Sequence, residues 1–286
     1  MKAMISALAL ARYMVPLLLF TLYFTACFIK NGDPTSISVN SVSDAEKKLA
    51  AHTFTGDSPD YPLYVVVNFD LRDLSQPDND YLRLLEVIGD SGLYADLTLG
   101  IAKMGGTTVF TSPPLDEAVK GMDKIVRIWL PFISTSIMAD TNGKSPFFFF
   151  ENLVMVSGSA TKITEIGDYA FSSCKSLKLV DTGVLVSSIG RETFWGCKNL
   201  EIIYTGSSLE IIGDKAFFDC SALELITMRG TPPALGDSVF LGSTPGRLTF
   251  QIEKEHEWLY RTWLAENASK FNNNGADIVF DVRSFN

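Results

Sequence analysis

The chain is poor in the residues that most often carry chemistry, with two histidines and four cysteines among 286 residues. His52 and His256 stand in opposite end segments, so a zinc site has no clustered ligands to draw on. No Gly-x-Ser-x-Gly elbow, phosphate loop or dinucleotide fingerprint occurs. Asp78-Asn79-Asp80 lacks the sixth-position glycine and twelve-residue frame of a calcium loop, and helix capping explains it better. Basic residues are in deficit, 24 against 33 acidic, which disfavours nucleic acid, whose phosphates are neutralised by Lys and Arg. Long hydrophobic runs are missing except from Tyr13 to Ala26, and that run is shorter than the roughly 20 residues needed to span a bilayer as a helix. These absences point to a non-enzymatic chain that needs no cofactor and no metal.

What is present begins with the leader. Mean hydropathy is +0.17, and residues 1–26 supply roughly three quarters of that excess on a transfer-type scale. With Lys2 and Arg12 as its basic region, the segment reads as a signal peptide. Its end, Phe24-Thr25-Ala26-Cys27, resembles a bacterial lipoprotein lipobox with Phe24 in place of the usual Leu. That resemblance implies acylation of Cys27 as the first mature residue; the other reading is an ordinary signal peptide in which Cys27 is incidental. Removing Lys2 and Arg12 leaves 22 basic residues against 33 acidic, a net charge of −11.

Residues 27–43 are small, polar and turn-rich and read as a tether. Residues 44–92 read as an N-terminal α/β cap. It holds a short helix from Asp44 to Ala51, a buried strand from Pro62 to Phe69, and an amphipathic helix from Asp80 to Ile88 capped by Asp78, Asn79 or Asp80. Then the chain repeats itself. Ile166-Gly167-Asp-Tyr-Ala-Phe171-Ser-Ser-Cys174-Lys-Ser-Leu177 recurs from Ile189 to Leu200 and from Ile212 to Leu223, with a degenerate copy from Leu235 to Phe240. The starts at 166, 189 and 212 fix a period of 23 residues.

The frame extends backwards. Phe147, Phe150 and Leu153 keep the spacing of Phe217, Cys220 and Leu223, and Ile128 to Ile137 matches Ile203 to Ile212. Ala95 to Leu99 reads as the strand of a still earlier unit. A repeat of this length predicts a solenoid in which each unit gives one short strand, turns at Gly183, Gly206 or Gly230, and buries its apolar side only against its neighbours. The predicted strands are Leu177–Val180, Leu200–Ile203 and Leu223–Ile226. Residues 253–286 read as a C-terminal helical cap with a helix over Glu255–Phe271, a strand at Ile278–Val282, and Trp258 and Trp263 sealing the last turn.

The unit Ile-Gly-x-x-Ala-Phe-x-x-Cys-x-x-Leu resembles the BspA-like, treponemal-type leucine-rich repeat of bacterial surface proteins. The likeness is clear over residues 163–252 and degenerate back to 93. It implies an α/β, strand-dominated leucine-rich-repeat solenoid over 93–252 between the two caps. It also implies attachment to host or bacterial surface proteins, an inference that travels with the fold.

Cys174, Cys197 and Cys220 occupy one slot of successive turns, near the ~4.8 Å strand separation. Three thiols in such a column cannot all pair among themselves, and Phe150 fills the same slot one unit earlier, so the slot reads as apolar with Cys as a small hydrophobe. Alternation along the strands leaves Met155, Leu179, Ile202 and Leu225 as an exposed apolar stripe where the resembled family carries small polar residues. Flanked by Tyr204, Trp195, Glu201 and Glu224, the stripe is the candidate protein-binding face. The competing readings are re-phased strands or a covering cap. The Glu201 and Glu224 column favours a basic partner with salt-sensitive binding.

The sequence therefore predicts a monomeric binding or adhesion lipoprotein of the cell envelope, at the outer-membrane surface, touching the membrane only through its lipid. The alternative is a structural lipoprotein facing the periplasm. Cys27→Ser is expected to move the protein from the membrane to the soluble fraction on cell fractionation; retention in the membrane refutes acylation there.

Overall fold

The computed structural model describes residues 35–53, 55–243, 248–271 and 278–284. The segment expected to be a signal peptide, Cys27 and the first part of the expected tether lie outside the described residues. The unit from Ile37 onward is a coil in which the 23-residue period sets two strands per turn, one in each of two sheets. The long sheet runs in the order β1 (Ser36–Val39), β2 (Leu63–Val67), β3 (Ala95–Thr98), β5 (Ile125–Trp129), β7 (Met155–Ser157), β9 (Leu179–Asp181), β11 (Ile202–Tyr204), β13 (Leu225–Met228), β15 (Leu248–Glu253) and β16 (Ile278–Arg283). The short sheet holds β4 (Val109–Phe110), β6 (Ser136–Ile137), β8 (Glu165–Ile166), β10 (Ser188–Ile189), β12 (Ile211–Ile212) and β14 (Ala234–Leu235). From β2 to β16 the pairings are all parallel.

The register reproduces the repeat frame. Ile137, Ile166, Ile189, Ile212 and Leu235 align across the short sheet. Val65, Leu97, Ile128, Val156, Val180, Ile203, Ile226, Phe250 and Phe280 align across the long one and face the core. The strands begin two residues later than predicted, because Leu177, Leu200 and Leu223 fill the core from the turn before each strand.

The N-terminal strands β2 and β3 are rungs of the same sheet. There two helices, α1 (Val42–Ala50) and α2 (Asp80–Ser91), pack on the core with Leu49, Leu84, Leu85 and Ile88 buried. Ser41 caps α1 and Asn79 caps α2, each accepting a backbone N–H through its side chain. At the other end α3 (Glu257–Glu266), shorter than predicted, closes the last turn. Tyr260 donates to Gly230 O at 3.1 Å and Trp263 to Pro233 O at 2.7 Å. Trp258 does not share that role, being 66% exposed. Among the described residues no helix is long and apolar enough to cross a membrane.

The core between the sheets carries a column of rings. Phe110, Phe147, Phe171, Phe194, Phe217, Phe240 and Phe271 stack with centroids 4.7–5.5 Å apart and planes within 15°. Tyr81 meets the first ring edge-on and Trp263 the last. Full burial of each such side chain contributes about 1.5–3 kcal/mol, and aromatic pairing about 0.5–1.5 more.

The turns that enter the long sheet are zipped to one another. Tyr169, Glu192, Lys215 and Ser238 have φ of 52–59°, and Ser173, Gly196, Asp219 and Gly242 have φ of 58–74°. At six of these positions the left-handed backbone aims the N–H along the coil, as in Ser173 N to Trp195 O at 2.8 Å and Gly196 N to Phe218 O at 2.9 Å. At Gly206 and Gly230 close approach replaces torsion as the constraint: an added Cβ would lie 2.4 Å from Val184 and 2.2 Å from Ser207 O. The left-handed region costs an L-residue about 1–2 kcal/mol. Gly196→Ala is therefore expected to lower stability by about 1 kcal/mol, while Ser173→Gly in the equivalent slot does not, as measured by chemical denaturation.

Candidate functional site

The predicted column forms in register: Met155, Leu179, Ile202 and Leu225 are successive ladder partners. They lie on the opposite face of the long sheet from the core cluster, to which none of the four belongs. The expectation of an open stripe is corrected. Met155, Leu179 and Ile202 are 5, 1 and 6% exposed, and Leu225 is half-buried. At strand spacing each apolar side chain is closed above and below by the next rung.

Towards the N-terminus the same column continues through Arg127, Asp96 and Tyr64. Asp96 is fully buried, and its Oδ2 accepts Arg127 Nη2 at 2.6 Å and Nε at 2.8 Å. Its Oδ1 has no partner among the described residues. Burial pushes the Asp96 carboxyl up to about 6, against the pull of the Arg127 guanidinium. Sequence reasoning missed this pair, although one charge inside each of two apolar strands at matching register positions was a usable signal.

The flanking residues separate. Glu201 lies 3.7 Å from Lys178 in the previous rung, so the expected acidic column is partly neutralised and the case for a basic partner rests on exposed Glu224. Tyr204, half-buried, ends β11, whereas Trp195 stands in the turn that precedes β11. The two expected flanks of the column therefore stand at opposite ends of the strand, Trp195 on the turn before it and Tyr204 at its close. Trp195 belongs to another row, the residues that follow the stacked phenylalanines: Phe148, Ser172, Trp195, Phe218 and Leu241. Main-chain bonds from Ser173, Gly196 and Asp219 stack the last four. Phe148 and Trp195 are 42 and 41% exposed.

The cysteine slot is buried with free thiols, yet it is more than apolar. Cys197 Sγ donates to Phe171 O at 2.9 Å and Cys220 Sγ to Phe194 O at 3.0 Å, and in the next unit the Ser243 hydroxyl donates to Phe217 O. The slot satisfies a carbonyl of the preceding turn. Burial pushes the Cys174 thiol up to about 12 and raises those of Cys197 and Cys220 as well.

A cleft of about 330 Å³ between α1 and α2 collects Glu46, His52, Asp90 and Ser91. It makes no nucleophile–base pair of Ser91, because that hydroxyl donates to Ile88 O at 2.7 Å. His256 is not the isolated solvated residue expected. It is half-buried, and ligand atoms of Glu253, Glu255 and His256 lie within 4.8 Å of one another.

Parallel rungs at a fixed period, with an asparagine-free Cys or Ser slot capping the preceding turn, define a leucine-rich-repeat solenoid, a class built for protein interaction. Residues 144–260 match the BspA type leucine rich repeat region in six copies, and this part of the chain is a BspA-like leucine-rich-repeat array. A leucine-rich repeat protein from Bacteroides ovatus ATCC 8483 is similar in structure, with 19% identity over 77% of this chain and 54% of that one and a TM-score of 0.41. The chain thus spans about half the length of that relative. No curated protein matches it.

Two outcomes test the local chemistry. Cys197→Ser keeps the donor and is expected to stay near wild-type stability. Cys197→Val removes that donor and leaves the Phe171 carbonyl with the Cys174 N–H alone, at 3.2 Å, and is expected to cost about 0.5–1.5 kcal/mol in denaturant unfolding. Because the folded carboxyl of Asp96 titrates above its ordinary value, its contribution to stability is full below about pH 4 and is lost as pH rises through about 6. Asp96→Asn is expected to flatten the pH dependence of the melting temperature across that window, whereas Arg127→Ala destabilises by leaving a buried carboxylate unpaired.

Proposed function

We infer that this chain is a non-enzymatic, lipid-anchored envelope protein that binds other proteins from the bacterial surface. The single observation that supports this reading best is the division of labour within each rung. Inward positions repeat Phe, Cys and Leu, while the outward turn position changes from Phe148 to Ser172, Trp195, Phe218 and Leu241. Two large aromatic side chains on that row stand over 40% exposed, which costs solvation without serving the core. Aromatic anchors of this kind dominate protein interfaces. Acylation of Cys27 would hold the array at the membrane, with stable attachment requiring more than one acyl chain.

The test combines location with contact. Protease added to intact cells is expected to degrade the protein while sparing a periplasmic marker. Survival of the protein overturns surface display in favour of a periplasmic scaffold. Immobilised protein is expected to retain intact bacterial or host cells, and Trp195→Ala with Phe148→Ala to lower retention several-fold at unchanged circular dichroism. Unchanged retention removes the row from the interface.

A further inference from the structure

The junction between the last long rung and the sealing helix gathers three ligand-bearing side chains in four residues. Glu253 ends β15, and Glu255 and His256 lie on the single 3-10 turn, Lys254–His256, that leads into α3. Their ligand atoms fall within 4.8 Å of one another, and His256 Nε2 stands 3.7 Å from Glu255 Oε1. The Nδ1 atom of the same ring is enclosed and has no partner among the described residues.

Two neighbouring guanidinium groups are committed elsewhere. Arg283 is the ladder partner of Glu253, yet its guanidinium binds Asp281, with Nη2 at 2.8 Å. Arg261 binds Glu257, with Nη2 at 2.6 Å. Neither guanidinium is therefore tied to the carboxylates of Glu253 and Glu255 that stand beside the His256 imidazole.

We propose that Glu253, Glu255 and His256 form a binding site for a divalent cation of the zinc class. Mixed imidazole and carboxylate donors suit zinc and its late first-row neighbours, whereas calcium and magnesium favour all-oxygen shells. Zinc bonds to such donors are about 2.0–2.2 Å, so a small closure of the three side chains brings them onto one ion. Three protein ligands leave a fourth position for water or for a donor from a partner. Bound there, the ion ties the end of the sheet to the start of the sealing helix, so its binding stabilises the C-terminal end of the coil by mass action.

The test is calorimetric titration of the full chain with zinc chloride, alongside melting curves with zinc, calcium or magnesium. Wild type is expected to bind zinc saturably, one ion per chain, and to melt higher with zinc than with calcium or magnesium. His256→Gln and Glu255→Gln, both on a solvent-facing turn, are expected each to weaken binding at least tenfold. His52→Gln is expected to bind like wild type. Absence of saturable binding, or full binding by His256→Gln, overturns the site; equal stabilisation by calcium overturns its assignment to the zinc class.

Discussion

The phenylalanine column sets the pitch of the whole molecule. Rings stacked 5.0–5.2 Å apart from Phe147 to Phe240 nearly match the ~4.8 Å separation of hydrogen-bonded strands. One period therefore satisfies both the aromatic core and the two sheets. The clear copies hold to 23 residues, and where a unit is longer, as from Phe147 to Phe171, the Phe keeps its place in the stack because the turns take up the extra residues.

Three further ladders follow from that pitch. The left-handed turn positions point their N–H groups along the coil, the Cys and Ser slot caps a carbonyl one turn back, and the core-facing strand column runs from Val65 to Phe280. Each satisfies polar groups or buries apolar ones only because the next turn is in place. The ends consequently need different chemistry: two capped helices and Tyr81 at one, and α3 with Tyr260, Trp263 and Phe271 at the other.

The outward side obeys no such rule, and function has to be sought there. The column through Asp96, Arg127, Met155, Leu179 and Ile202 is ordered by the ladder, yet it is buried, so it does not offer the open stripe its composition promises. The turn row with Phe148 and Trp195 is less regular in sequence and more open in structure. At the C-terminal end, Glu253, Glu255 and His256 are brought together by a turn of the chain rather than by the repeat.

Periodicity alone determined the solenoid, the length of its unit, the core residues and the frame of degenerate copies back to Ile128, because each repeat must present the same apolar slots to its neighbours. Capping signals narrowed the start of α2 to Asp78, Asn79 or Asp80, of which the structure takes Asn79, and the apolar pattern of the last helix gave the sealing role of Trp263. Other features were decided only in three dimensions. Phe110 and Phe271 join the stack from outside the period, since intervening turns and α3 absorb the extra residues. Asp96 meets Arg127 across 31 positions, Trp195 parts from Tyr204 because one precedes and one ends a strand, and the thiols acquire a carbonyl to cap. These depend on which atoms the coil brings within bonding distance, and that is set by the rise and turn of successive rungs rather than by any local pattern of residues.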